Sequence, residues 1–127
     1  MSYSLTACND IAEIGQEAWD ACANPVSSHY LPEQVQFDPF ISYSFLHAIE
    51  KSRSGVAETG WAPYHLLLED DVGKAVGVVP MYLKSHSQGE YVFDYSWADA
   101  FERAGGKYYP KLQIAVPFTP ATGRRLL

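Results

Sequence analysis

The chain has 127 residues, 47% hydrophobic and 14% aromatic, enough apolar material for one core and too much for a disordered segment. A formal net charge of -6 argues against binding nucleic acid through phosphates, which needs clustered lysine and arginine. Cys8 and Cys22 have no neighbouring cysteine, so they suit neither a disulfide framework nor a zinc site; they are expected to stay reduced, and no metal site is expected. No basic and apolar leader and no run of membrane-spanning length is present, which makes a cytoplasmic location without a membrane span the default expectation.

In chain order, Tyr3 to Ala7 reads as a short strand. Asn9 or Asp10 then caps a helix to Ala23, with Ile11, Gly15, Ala18, Trp19 and Cys22 on one inward stripe and Glu13, Glu17 and Asp20 outward. Asn24-Pro25 ends it, because the residue before a proline is pushed out of helical geometry. A long polar connection follows to Gln36. It is either a solvated connector or a lid carrying His29, Tyr30 and Glu33. Asp38-Pro39 starts a second helix, cap followed by proline, whose stripe is Ile41, Phe45, Leu46 and Ile49 and whose stop is Ser54-Gly55. His47 falls off that stripe and is assigned no chemistry.

Tyr64 to His86 is the organising stretch. The apolar run His65 to Glu69, the turn Asp70-Asp71-Val72-Gly73 and the alternating run Lys74 to Lys84 predict a β-hairpin. Ala75, Gly77, Val79, Met81 and Leu83 lie on one face and Val76, Val78, Pro80 and Tyr82 on the other, with both faces covered. Pro80 cannot donate to a ladder, so a bulge or splay is expected there. Trp61 is placed over the open end of the hairpin. Gly89 to Tyr95 alternates as a third strand, Ser96 caps a short helix from Trp97 to Ala104, and Leu112 to Val116 is a fourth strand. Arg124-Arg125-Leu126-Leu127 suits the first turn of a helix that would continue, which points to a truncated chain with apolar sheet surface left exposed.

Three stretches carry a family resemblance: "DPFISYSFLHAIEKS" from Asp38, "GWAPYHLLLED" from Gly60, and the long run from Gly77 to Leu127 that opens "GVVPMYLKSHSQGEYVFDYSWADAF". They resemble the N-terminal part of the FemAB-like proteins, which are linked to peptidoglycan biosynthesis or recognition and grouped with the GNAT acyltransferases. The resemblance implies an α/β (α+β) GNAT-like half-domain, with two N-terminal helices on a mainly antiparallel sheet of three to five strands. It also implies acyl or aminoacyl transfer to an amine acceptor, a small molecule or a peptidoglycan precursor. This part of the protein would contribute acceptor recognition and be inactive alone. Acetyl coenzyme A or another acyl or aminoacyl donor is implied for a longer protein, with no cofactor expected on this segment. A noncatalytic recognition module for a precursor or a protein is the alternative, and a purely structural half of a larger fold is a third.

Acyl transfer to an amine needs a proton acceptor, stabilisation of a developing oxyanion and a proton for the leaving group. Side chains able to do this are densest between Lys84 and Lys111. Asp94 and Asp99 are candidate bases or amine-binding groups, Tyr109 a candidate proton donor or hydrogen-bonding group, Trp97 a substrate platform, Lys111 a holder of phosphate or carboxylate, and His86 a further substrate contact. The competing structural roles are a helix-terminal charge for Asp99 and half-buried strand positions for the tyrosines. Asp94, Trp97, Asp99, Tyr109 and Lys111 are expected to line one concavity. Arg103-Ala104-Gly105-Gly106-Lys107-Tyr108 partly matches a coenzyme A pyrophosphate loop. It follows a predicted helix where such a loop should precede one, and is set aside.

Overall fold

Pro80 decides the architecture of this chain. In the computed structural model, which describes residues 1–25, 36–91 and 93–127, the run from Ala75 to Lys84 is two strands in two sheets. Strand β4 (Ala75–Val79) pairs with β3 (His65–Glu69), and β3 with β1 (Ser4–Cys8), all antiparallel. After Pro80 the chain continues as β5 (Met81–Lys84), which lies between β2 (Trp61–Pro63) and β6 (Lys111–Ile114). The expected splay at the proline is therefore a change of sheet. The hairpin itself forms, with Leu67 opposite Val78 and Leu66 opposite Val79. Its turn is held by Asp70, whose Oδ1 accepts from the Val72 and Lys74 amides at 3.1 and 2.9 Å.

Two antiparallel three-stranded sheets and three α-helices among the described residues make an α+β fold. Both N-terminal helices are shorter than the sequence suggested. Asp10 caps a 3-10 turn at Ile11–Glu13, and Gly15, at φ 88°, breaks the run before α1 (Gln16–Ala23) begins. A left-handed residue cannot sit inside an α-helix, so glycine marks a corner where periodicity showed a continuous stripe. Asp38 likewise caps a 3-10 turn at Pro39–Ile41, after which Ser42 caps α2 (Tyr43–Lys51). Asp20 is not a solvent-facing charge. Its Oδ1 accepts from the Tyr43 amide at 2.9 Å and ties one helix to the start of the next. Ile11, Trp19, Ala23, Ile41, Leu46, Val78 and Val116 form the core, and the Trp19 indole donates to the Ile41 carbonyl at 2.8 Å. His47 stacks on Tyr43 with ring centroids 5.0 Å apart.

Five further expectations are corrected. Trp61 does not cover the hairpin's open end; it is buried within β2 of the other sheet. The strand expected from Gly89 to Tyr95 is absent among the described residues: Gly89 turns at φ 81°, and α3 (Tyr95–Arg103) begins straight after Asp94. That helix thus starts before Ser96 and is not capped by it. The last residues do not begin a helix. Leu127 exchanges both backbone hydrogen bonds with Val78, at 3.0 and 3.1 Å, as an antiparallel neighbour of β4. Coverage of β4 and β5 is also uneven, since Val76 and Leu83 are exposed while Val78, Pro80, Tyr82 and Lys84 are buried. The candidate lid residues His29, Tyr30 and Glu33 lie outside the described residues.

The two sheets are joined through His65. Its Nδ1 accepts from the Met81 amide at 3.2 Å, immediately after the proline. Its Nε2 then carries the proton and donates to Glu50 Oε2 at 3.1 Å, while Glu50 Oε1 accepts from the Ile11 amide at 3.0 Å. Removing one partner of buried polar groups leaves the others unsatisfied. Glu50→Ala is expected to cost on the order of 2 kcal/mol in urea unfolding, with an unchanged denaturant slope. A loss under about 0.5 kcal/mol, the size of an ordinary surface substitution, would remove this linkage from the account.

Candidate functional site

The register of β5 and β6 sets Lys84 directly opposite Lys111. Like charges facing each other across strands repel, and the segment from Ser85 to Asp94 returns two carboxylates to offset them. Lys111 Nζ donates to Glu90 Oε1 at 2.9 Å, to Ser87 Oγ at 3.2 Å and to Asp94 Oδ2. The Lys84 side chain is fully buried. It donates to the Gln88 carbonyl at 2.8 Å, stands 3.8 Å from Glu90 Oε2, and lies 3.6 Å over the centre of the Trp61 ring. Two cations and two anions are thereby balanced inside one cluster.

Hydrogen-bond direction in this cluster follows from counting protons. Ser87 donates its single hydroxyl proton to Asp94 Oδ1 at 2.6 Å, so at its 2.5 Å contact with Tyr109 it must accept. Tyr109 therefore donates to Ser87 and keeps its oxygen lone pairs for another donor. Tyr108 donates to Asp94 Oδ2 at 2.5 Å. Ser87, Tyr108 and Lys111 thus point protons at Asp94, and Tyr109 does so through Ser87. The rings of Tyr108 and Tyr109 meet edge to face at 5.0 Å, and the Lys111 ammonium lies within 5.7 and 5.9 Å of their centres.

These contacts set the charges. Partial burial opposes ionisation of Asp94, but hydrogen bonds from Lys111, Ser87 and Tyr108 outweigh it and hold the carboxyl down at about 2. Burial lowers Lys84 to about 8, against the pull of Glu90 and with the repulsion of Lys111 adding to the drop. Burial opposes the charge on Lys111 too, yet Asp94 and Glu90 raise it above its ordinary value. The hydrogen bond to Asp94 raises Tyr108. Asp94 is consequently an ionised anchor that already carries three donors, a poor proton acceptor and a good organiser of neighbours.

Of the five residues expected to share a concavity, Asp94, Tyr109 and Lys111 converge, and Trp97 and Asp99 stand apart. Asp99 pairs with Arg103 one helical turn on at 2.9 Å, both largely exposed, and Trp97 is 74% exposed on the same helix. Both lie on the expected helix, but on its exposed side, with Ala98 its buried residue. His86 is outside the cluster as well. Its Nδ1 accepts from the Gln88 amide at 3.1 Å, and its ring packs against Gly60. Ser87, Tyr108 and Lys84 were not singled out from sequence. A lysine that ends an apolar alternating run on the inward face was the available signal for Lys84. Arg103 to Tyr108 does not fit a pyrophosphate cradle: the Gly106 and Gly105 amides donate to the Phe101 and Glu102 carbonyls and close the end of α3.

The chain matches the FemAB-like family, described as peptidoglycan biosynthesis/recognition, over residues 10–127, and it belongs to that family. Comparison with curated proteins and with solved structures gives no match. Family membership connects the chain to peptidoglycan biosynthesis or recognition. Among the described residues no helix is long and apolar enough to cross a membrane.

Asp94 gives the cluster an acid limit. A carboxyl whose value is lower in the folded state contributes stability above its ordinary value of 3.8, and that contribution fades as pH falls towards about 2. At pH 7 wild type should exceed Asp94→Asn by on the order of 2 kcal/mol in urea unfolding, and the gap should close between about pH 4 and pH 2. A gap independent of pH over this range would mean that the charge on Asp94 contributes nothing.

Proposed function

We propose that this chain supplies acceptor recognition for acyl or aminoacyl transfer to an amine of a peptidoglycan precursor. The observation that carries this reading is the proton order at Tyr109: its hydroxyl donates to Ser87, which leaves an oxygen acceptor beside the ionised Asp94 and the Lys111 ammonium. The N–H of an amine or ammonium could donate to that oxygen, and Lys111 could meet an acidic group on the same ligand. The donor, acetyl coenzyme A or an aminoacyl carrier, would be held by other parts of a longer, GNAT-like protein of which this is the N-terminal part, acting in the cytoplasm where precursors are assembled.

A noncatalytic recognition role is the second reading, and the low value of Asp94 favours it. With three donors on its carboxylate, Asp94 lacks the basicity that deprotonating an ammonium nucleophile needs. Binding and turnover separate the two readings. A precursor pentapeptide with a free lysine amine should bind this chain in calorimetry, and its N-acetylated form at least about tenfold more weakly, which is about 1.4 kcal/mol. Tyr109→Phe should erase that difference, while Glu58→Gln, on an exposed ion pair with Arg53, should preserve it. Equal affinity for both peptides would overturn acceptor recognition at this site. Binding without aminoacyl transfer by the full-length protein would favour the second reading.

A further inference from the structure

A cleft of about 660 Å³ shares no lining residue with the Asp94 cluster. Asp10 reaches it from the turn after β1, Glu50 and Lys51 from the end of α2, and Ala62 and Pro63 from β2. Arg53, at φ 64°, turns the chain out of α2 into the segment that adds Val56 and Ala57 to the apolar wall. A volume in the range of roughly 300–1,000 Å³ holds a whole small-molecule ligand. The strand beside it is an edge whose sheet partner is β5. That edge offers no amide to a further strand, because the Trp61 amide is taken by the Val56 carbonyl at 3.0 Å and Pro63 has none.

Charge is unbalanced on one side of this cleft. The Glu50 side chain is 8% exposed, yet both groups that bond its carboxylate are neutral: the Ile11 amide, and a His65 whose Nδ1 accepts from the Met81 amide. Buried charges are ordinarily paired, and among the described residues no lysine or arginine lies within ion-pairing distance of this one. An ionised carboxylate has about four lone-pair sites, and two of those on Glu50 are in use. Asp10 adds a second carboxylate, with Oδ1 accepting from the Ala12 amide at 2.7 Å and Oδ2 without a partner among the described residues. Burial raises the Tyr43 hydroxyl, and Asp10 and Glu50 raise it further, so both carboxylates act on one point.

The remaining lining charges narrow the ligand. Arg53 and Glu58 neutralise each other in an exposed pair at 3.1 Å. Lys51 lines the same cleft and has no carboxylate partner among the described residues. A simple anion would meet Glu50 and Asp10, and a simple cation would meet Lys51; a ligand that carries both charges suits all three. We infer that the cleft binds a short zwitterionic peptide with both ends free, its ammonium received by Glu50 and Asp10, its carboxylate by Lys51, and its small side chains by Val56, Ala57, Ala62 and Pro63. This site is independent of the amine contact at Tyr109.

Calorimetric titration of the whole chain with trialanine tests this. Binding should be saturable, with the N-acetylated and the C-amidated tripeptides each at least about tenfold weaker, which is about 1.4 kcal/mol. Asp10→Asn keeps an acceptor for the Ala12 amide and should narrow the gap between free and N-acetylated peptide. Lys51→Met should erase the gap between free and amidated peptide. Ala57 is exposed, so Ala57→Trp fills the cleft without replacing a charge and should abolish binding; the two charge variants carry the test should it fail to fold. No saturable heat, equal affinity for the three peptides, or binding that survives in folded Ala57→Trp would each overturn the site. So would binding that is lost in Tyr109→Phe, which would put the peptide at the Asp94 cluster instead.

Discussion

The fold depends on one histidine satisfied at both ring nitrogens. A chain that changes sheet at a proline loses ladder partners where the two sheets meet, and the Met81 amide would be stranded there. His65 accepts from it, and the proton on its other nitrogen passes the constraint to Glu50 on α2, which holds the Ile11 amide at the entrance to α1. Trp19 and Tyr82 meet the same ring edge to face, at 5.4 and 5.1 Å. Both sheets, the second helix and the N-terminal turn are thereby registered to one buried side chain. Because the interior has a low effective dielectric, each link is firmer when all are made and costly when one is missing.

The charged cluster rests on the opposite arrangement. Its lysines are forced together by strand register, and the return of Glu90 and Asp94 turns a repulsion into a balanced group. Such a group is expensive to desolvate and gives little net stability compared with apolar packing. Its worth lies in fixing positions: four hydroxyl and ammonium groups acquire a defined direction because one carboxylate orders them.

Local chemistry was legible in the sequence wherever a short stretch was sufficient to decide it. The Asp70 turn, the Asp38-Pro39 start and the irregularity at Pro80 all depend on backbone rules that act within a few residues. Asp94, Tyr109 and Lys111 converge as expected, around Ser87 and the Asp94 carboxylate. The failures have a common cause. Gly89 begins an alternating pattern, yet its left-handed turn serves Trp61 and Phe118, which are distant in sequence. Ser87 looks like an ordinary loop serine until Tyr109 and Asp94 reach it from either side. His65 reads as the first residue of an apolar run; its pairing with Glu50 exists only after both sheets and α2 have come together.

The placement of Lys84 over the face of Trp61 has an optical consequence. A positive charge held 3.6 Å above an indole interacts with the ring's electron-rich face, and the energy gap between its ground and excited states responds to that charge. Protonation of a lysine lowered to about 8 by burial therefore alters the light this one tryptophan absorbs and emits. Trp61 is thereby an intrinsic, label-free gauge of the charge state of the cluster beside it.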